Sequence, residues 1–245
     1  MAGASTVNAD VKRVALQRET TRICHLTPSR NFVHIATGGD GLLSTQTLQA
    51  SERREFHQQD LQRIDGYPDY ICCSIEYPNA WYLRKRQGSV AGEDRLFSDW
   101  VVLTIKPDYL WNDETLFCPR NAAAQGGRLV QAGVETFEGL FAPKVRGAYD
   151  RDYVRTDERP RACPTDEQAE VLVRRRIALD DVLTIVTYDE AQARREYVRL
   201  TQLNVPSERI KLTICPQFFE PYPLKRLLER GERPVEREWD HDDRE

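Results

Sequence analysis

Apolar residues are spread thinly along this chain and gather in a few short runs. Tyr70-Ile71-Cys72-Cys73-Ser74-Ile75 and Trp100-Val101-Val102-Leu103-Thr104-Ile105 are the clearest. Both are rich in β-branched or aromatic side chains and bounded by turn formers, the signature of strands. Residues 21–26 alternate weakly and predict a first strand, with Pro28 disfavouring helix at Thr27. Phe32, Val33 and Ile35 then predict a helix that stops near Gly38-Gly39. Residues 180–187 and 209–214 predict a second pair of strands. Between them, 190–203 places Ala191, Ala193, Tyr197, Leu200 and Leu203 near helical spacing, giving a strand–helix–strand unit.

The polar stretches are as telling. Residues 46–63 are polar, with Leu48, Phe56 and Leu61 as sparse apolar points before Ile64, and read as a lid or an exposed helix. Residues 146–164 are charged and aperiodic and read as a long surface loop. Thr165 followed by Gln168 fits a capping box, so a helix is predicted to start there with Val171, Leu172 and Ile177 on its buried side. Residues 1–20 read as a loose leader, 21–230 as one domain, and 231–245, almost all charged, as a disordered tail. The class is mixed α/β with a mostly β centre.

Composition narrows the partners. A chain of 245 residues can bury an ordinary core without staples. A net charge of −4 and a pI near 5.7 do not suit a protein held to nucleic acid by bulk charge, so any such contact must be local. The cysteines at 24, 72, 73, 118, 163 and 215 show neither Cys-x-x-Cys nor zinc spacing. They read as reduced thiols, with no metal expected, and the adjacent Cys72 and Cys73 should face opposite sides of a strand. No apolar run approaches the ~20 residues of a membrane span and no signal-peptide core is visible, so a cytoplasmic protein without a membrane partner is expected.

Candidate chemistry is sparse when taken residue by residue. Glu170 alone would be a solvated carboxylate, and His25 alone a satisfied core histidine. His25 and Thr27, two apart on a strand, point to one face. Arg84-Lys85-Arg86 and Arg174-Arg175-Arg176 are either solvated faces or phosphate contacts. Trp81, Tyr149 and Tyr153 could stack on an unpaired base.

Five blocks in fixed order change that reading. They are Cys24-His25-Leu26-Thr27, Arg63-Ile64-Asp65-Gly66, Cys73-Ser74-Ile75-Glu76-Tyr77-Pro78-Asn79, Cys118-Pro119-Arg120-Asn121-Ala122-Ala123 and Gln168-Ala169-Glu170-Val171-Leu172-Val173. Together they resemble the DarT-type ADP-ribosyltransferases. The resemblance implies an ADP-ribosyltransferase-like split β-sheet core with peripheral helices, and NAD in the cleft between two small sheets. It implies Glu170 as the catalytic carboxylate, stabilising the oxocarbenium-like ribose more than the ground state. It assigns NAD contacts to His25, Leu26 and Thr27, with His34 and Leu42 following them. Arg63 would be the catalytic arginine holding a phosphate, with Arg53 and Arg54 as competitors. Asn121 and Pro78-Asn79 would be framework, Asn121 as a helix N-cap. Arg84, Arg86, Tyr149 and Tyr153 would touch nucleic acid. The implied reaction attaches ADP-ribose to a base, thymine, in single-stranded DNA, in a toxin-like or phage-defence role with a separate macrodomain-type antitoxin. RNA or protein targets, or a non-catalytic nucleic-acid-binding member of the fold, are the alternatives.

Overall fold

The most apolar run in the sequence, Trp100–Ile105, is buried over its whole length and lies in the interior of the main sheet. In the computed structural model, residues 6–50, 64–89, 100–147, 151–206 and 210–240 are described. The chain begins with α1 (Ala9–Gln17), β1 (Ile23–Pro28), α2 (Ser29–Thr37), β2 (Leu42–Leu43), α3 (Thr45–Ala50) and β3 (Tyr70–Ile75). It continues through α4 (Ala80–Ser89), β4 (Trp100–Ile105), β5 (Leu116–Cys118), α5 (Val134–Gly139), β6 (Lys144–Arg146) and β7 (Asp152–Val154). The last part holds β8 (Glu170–Arg174), β9 (Arg176–Ile177), β10 (Val182–Thr187), α6 (Glu190–Gln202), β11 (Leu212–Ile214), α7 (Pro221–Glu229) and β12 (Arg237–Trp239).

Eight strands form one sheet in the order β12-β11-β10-β4-β1-β3-β8-β5. All its ladders are antiparallel except β10–β11, which are joined by α6 and pair in parallel, as a strand–helix–strand unit allows. The expected split takes a particular form. β1 pairs with β4 along its full length, from Ile23 opposite Ile105 to Pro28 opposite Trp100. Against β3 it forms only two pairs, Ile23–Ile75 and Cys24–Ser74. The sheet therefore parts after Cys24, into a half carrying β4, β10, β11 and β12 and a half carrying β3, β8 and β5.

Strand alternation sorts the core. Val101, Leu103 and Ile105 face the main cluster, with α1, Phe32, Phe117, Phe137 and Val171. Trp100 and Val102 face a second cluster of Cys24, Leu83, Val186, Cys215, Phe218 and Leu228. Burial on both faces explains why the run is unbroken in the sequence. Cys73 faces the main cluster and Cys72 the other side, and none of the six thiols forms a disulfide. In α6, Ala193 and Leu200 are buried as the periodicity predicts, whereas Ala191 and Leu203 are exposed and Gln192 and Glu196 take inner positions instead.

Four expectations are corrected. Within the expected leader, the described residues 6–20 are not loose: Asn8 Oδ1 caps α1 by accepting from Val11 N at 3.1 Å, and Val11, Val14 and Ala15 enter the main core. The described part of the charged tail is not disordered. β12 pairs with β11, Trp239 packs on Tyr197, and Glu236 takes both terminal nitrogens of Arg22 at 2.6 Å. Residues 146–164 are not merely a surface loop. β6 and β7 pair antiparallel, and Arg159, Ala162 and Cys163 are buried. Arg155 and Arg159 satisfy the loop carbonyls that water would otherwise meet, at Cys163, Pro160 and Pro164. No helix starts at Thr165. Its hydroxyl donates to the Ala142 carbonyl, Asp166 Oδ1 accepts from Gln168 N in a tight turn, and Glu170 opens a strand. The β-branched Val171 and Val173 flank Leu172 in that strand, held between β3 and β5.

Candidate active site

Glu170 stands at the first position of β8, opposite Cys118 of β5, and is only 8% exposed. A buried carboxylate needs donors. Asn121 Nδ2 donates to Glu170 Oε1 at 2.8 Å, and the Ala122 backbone N–H donates to Oε2 at 3.1 Å. The Asn121 amide is oriented by its other end, because Oδ1 accepts from Ala123 N at 3.1 Å. This is a turn and not the N-cap of a regular helix: only a short 3-10 segment, Ala124–Gly127, follows. Gly127 has φ +78°, and a Cβ there would overlap the Asp65 carbonyl oxygen. The turn after β5 thus packs directly on Asp65.

The other wall is β1. His25 Nδ1 lies 2.9 Å from the Cys72 carbonyl oxygen of β3. A carbonyl only accepts, so in the neutral ring the proton sits on Nδ1 and Nε2 is the acceptor. The imidazole therefore reaches across the parting of the sheet. His25 and Leu26 are half-buried and Thr27 is buried. The entry to β1 is fixed by Glu76, which accepts from Thr21 N at 3.0 Å and Thr21 Oγ1 at 2.8 Å. Glu76 holds a left-handed backbone at φ 63°, unusual for a residue with a side chain.

His25 and Glu170 stand on strands that flank β3. Cys24 is level with Ser74, and one step past the Cys73–Val171 pair Ser74 is level with Glu170. Two interstrand spacings put the two sides about 10 Å apart. Alternation turns Glu170 to the face of Leu172 and Cys118, and His25 and Thr27 to the other. A ligand touching both must run across the parted edge.

The remaining sequence candidates divide. Arg63, Arg53, Arg54 and Tyr149 lie outside the described residues. Leu42 is 2% exposed, paired with Ile177 and packed in the main core, so its side chain serves the fold. His34 is half-buried on α2. Asn79 Oδ1 accepts from Tyr82 N at 3.1 Å and so starts α4, a framework role. Arg174 and Arg175 pair with Asp69, Arg174 also with Glu114, and Arg176 Nε donates to the Asp40 carbonyl. That triplet ties the sheet to its flanking turns. Arg84 lies over the Tyr222 ring at 4.7 Å, and Arg86 bonds to Tyr82 Oη at 3.0 Å. Tyr153 is half-buried on β7 beneath Lys225 Nζ at 5.9 Å.

Sequence reasoning missed three features here: the Asn121 clamp, the Glu76 anchor and Asp166. Asp166 is 2% exposed. Burial pushes its carboxyl up to about 6. The nearby Glu167 charge adds to that, while the Gln168 N–H bond and the Arg120 and Arg159 charges oppose it. Among the described residues, no group of three or more His, Cys, Asp or Glu could hold a metal ion.

No curated protein matches the chain. The family model described as "ssDNA thymidine ADP-ribosyltransferase, DarT" matches residues 24–219. Among solved structures, the chain is similar to Thermus sp. 2.9 DarT in complex with NAD+, at 16% identity and a TM-score of 0.54, covering 82% of this chain and 98% of that one. It is also similar to Thermosipho africanus DarTG in complex with ADP-ribose, at 12% identity and a TM-score of 0.53, covering 81% of this chain and 51% of that one. At these identities the structures establish the fold, a mixed α/β architecture around a large, mostly antiparallel sheet. The match to the family model runs from Cys24, where the sheet parts, past the clamped Glu170 to the segment before α7, and on it the chain belongs to the DarT family of NAD-dependent ADP-ribosyltransferases.

Proposed function

We propose that this chain transfers ADP-ribose from NAD to a thymine base in single-stranded DNA. The observation that carries the proposal is Glu170: buried, with both oxygens held by Asn121 and Ala122, across β3 from His25. NAD lies across the parted edge, with His25, Leu26 and Thr27 meeting its ribose and nicotinamide end, His34 further along, and Arg63 holding the pyrophosphate or the target phosphate. The bond from nicotinamide to the ribose C1′ breaks, and its electron pair leaves with neutral nicotinamide. The cationic sugar is stabilised by the Glu170 carboxylate. A base nitrogen then bonds to C1′ and gives up its proton, with Glu170 the acceptor.

Two complexes of one solved relative support the chemistry: Thermus sp. 2.9 DarT with NAD+ and the same protein with ADP-ribosylated ssDNA. Arg84, Arg86, Tyr149 and Tyr153 are the proposed nucleic-acid contacts. The base must be unstacked, which favours a single strand. No helix among the described residues is long and apolar enough to cross a membrane. We place the activity in the cytoplasm, as a toxin or defence enzyme restrained by a separate macrodomain-type antitoxin.

The test incubates purified protein with labelled NAD and pools of single-stranded DNA, RNA and bulk protein. Label on thymine-containing DNA, lost in Glu170→Gln, supports the proposal. Label confined to RNA or protein overturns the substrate. No label and no NAD binding overturns the enzyme reading. His25→Ala should raise the KM for NAD by about fivefold with the unfolding transition retained, since one hydrogen bond is worth about 1 kcal/mol.

A further inference from the structure

We infer that Tyr222, flanked by Arg84 and Lys225, is a stacking platform for the DNA strand beside the base being modified. The inference rests on the DNA reading above and adds a surface to it. Tyr222 is 51% exposed on a helix whose Pro221, Leu224 and Leu228 are buried, so its ring has no core to fill. α7 packs against α4, and the fold thereby joins two cationic runs far apart in sequence, Arg84-Lys85-Arg86 and Lys225-Arg226. On a chain of net charge −4 this is a local positive field.

The aromatic rings are set among those charges. Trp81 meets Tyr222 edge-on, with centroids 5.0 Å apart, and the Arg84 guanidinium lies over the Tyr222 ring at 4.7 Å. Lys225, one turn along α7, sits over Tyr153 and also pairs with Glu229 at 3.6 Å. The platform is tied to the reaction centre, because Trp81 Nε1 donates to Glu167 Oε2 at 2.8 Å, three residues before Glu170. Every base offers a π-face to an aromatic ring and every nucleotide a phosphate to a cation, so rings interleaved with cations suit a single strand. Tyr222 and Lys225 lie beyond residue 219, where the family match ends.

The test measures the transfer KM for thymine-containing single strands of 4 and 12 nucleotides, and the anisotropy of a labelled 12-mer. Tyr222→Ala should raise the KM and Kd of the 12-mer about tenfold and shift the 4-mer less than twofold. Tyr222→Phe, which keeps the ring, should behave as the parent. Lys225→Ala should reduce the salt slope of log K by about 0.7, one phosphate contact on a single strand. A Tyr222→Ala protein that folds and loses nothing, or loses equally on both lengths, overturns the platform while leaving the enzyme reading intact. A parent protein that transfers to no DNA and binds no single-stranded 12-mer overturns both. Tighter binding to an RNA 12-mer overturns the DNA assignment.

Discussion

Asn121 offers the sharpest test of how the candidate active site works. It touches Glu170 through one amide hydrogen bond of 2.8 Å, and its oxygen is engaged by Ala123 N. It therefore acts through Glu170, as a positioning residue. In Asn121→Ala the carboxylate loses one donor but keeps Ala122 N–H, so folding should survive. A hydrogen bond to a charged group is worth about 1.5–3 kcal/mol, which corresponds to a fall in kcat of about 10- to 150-fold. The KM for NAD should move far less, because the change disturbs the aim of the carboxylate and leaves the β1 wall alone. Asn121→Asp separates aim from shape. It keeps the acceptor for Ala123 N but sets a second carboxylate against Glu170, and two such groups do not ionise together. The Asp variant should be slower than the Ala variant at pH 8 and recover as the pH falls and one carboxyl takes up a proton. Steady-state release of nicotinamide, read as kcat and KM separately from pH 5.5 to 8.5, decides the matter. A parental kcat in Asn121→Ala, or Ala and Asp variants that track each other across pH, would refute the reasoning.

Asp166→Asn should stabilise the fold in a pH-dependent way. The folded protein holds the Asp166 proton better than the unfolded chain does, so this carboxyl favours folding at about pH 4 and that contribution is lost as pH rises through about 6. The Asn variant should match the parent in urea near pH 4 and exceed it by about 2–3 kcal/mol at pH 7.5; a gain that does not vary with pH contradicts the assignment. Gly127→Ala sets a methyl group against the Asp65 carbonyl at a left-handed position. It should cost on the order of 3 kcal/mol, visible as a lower midpoint in thermal unfolding, and an unchanged midpoint would show that the two turns do not pack as described.

The central strands were legible because their burial is continuous and their composition β-branched. α2, β10 and α6 were legible for similar reasons of periodicity and turn chemistry. Glu170 was singled out from its motif but set on the wrong kind of element. Thr165 and Gln168 mimic a capping box, while in the fold the Thr165 hydroxyl serves Ala142 and Gln168 N–H serves Asp166. That competition is tertiary and leaves no local trace. α1 escaped notice because nine residues with three buried side chains give little period to read. The end of the chain escaped because charge dominates its composition, although Trp239 was a signal that something there is buried. The Asn121 clamp and the Tyr222 platform join residues 49 and more than 130 positions from their partners, so neither could be read along the sequence.

The ion pair between Arg22 and Glu236 links segments 214 positions apart, just before the strand that carries His25. Trimming the C-terminal region at its apparent low-complexity boundary, a routine step before crystallisation, would strand a largely enclosed guanidinium over Tyr77 and Phe218. A shortened preparation could then lose NAD turnover with every proposed contact residue still present, and its silence would be mistaken for a degenerate catalyst.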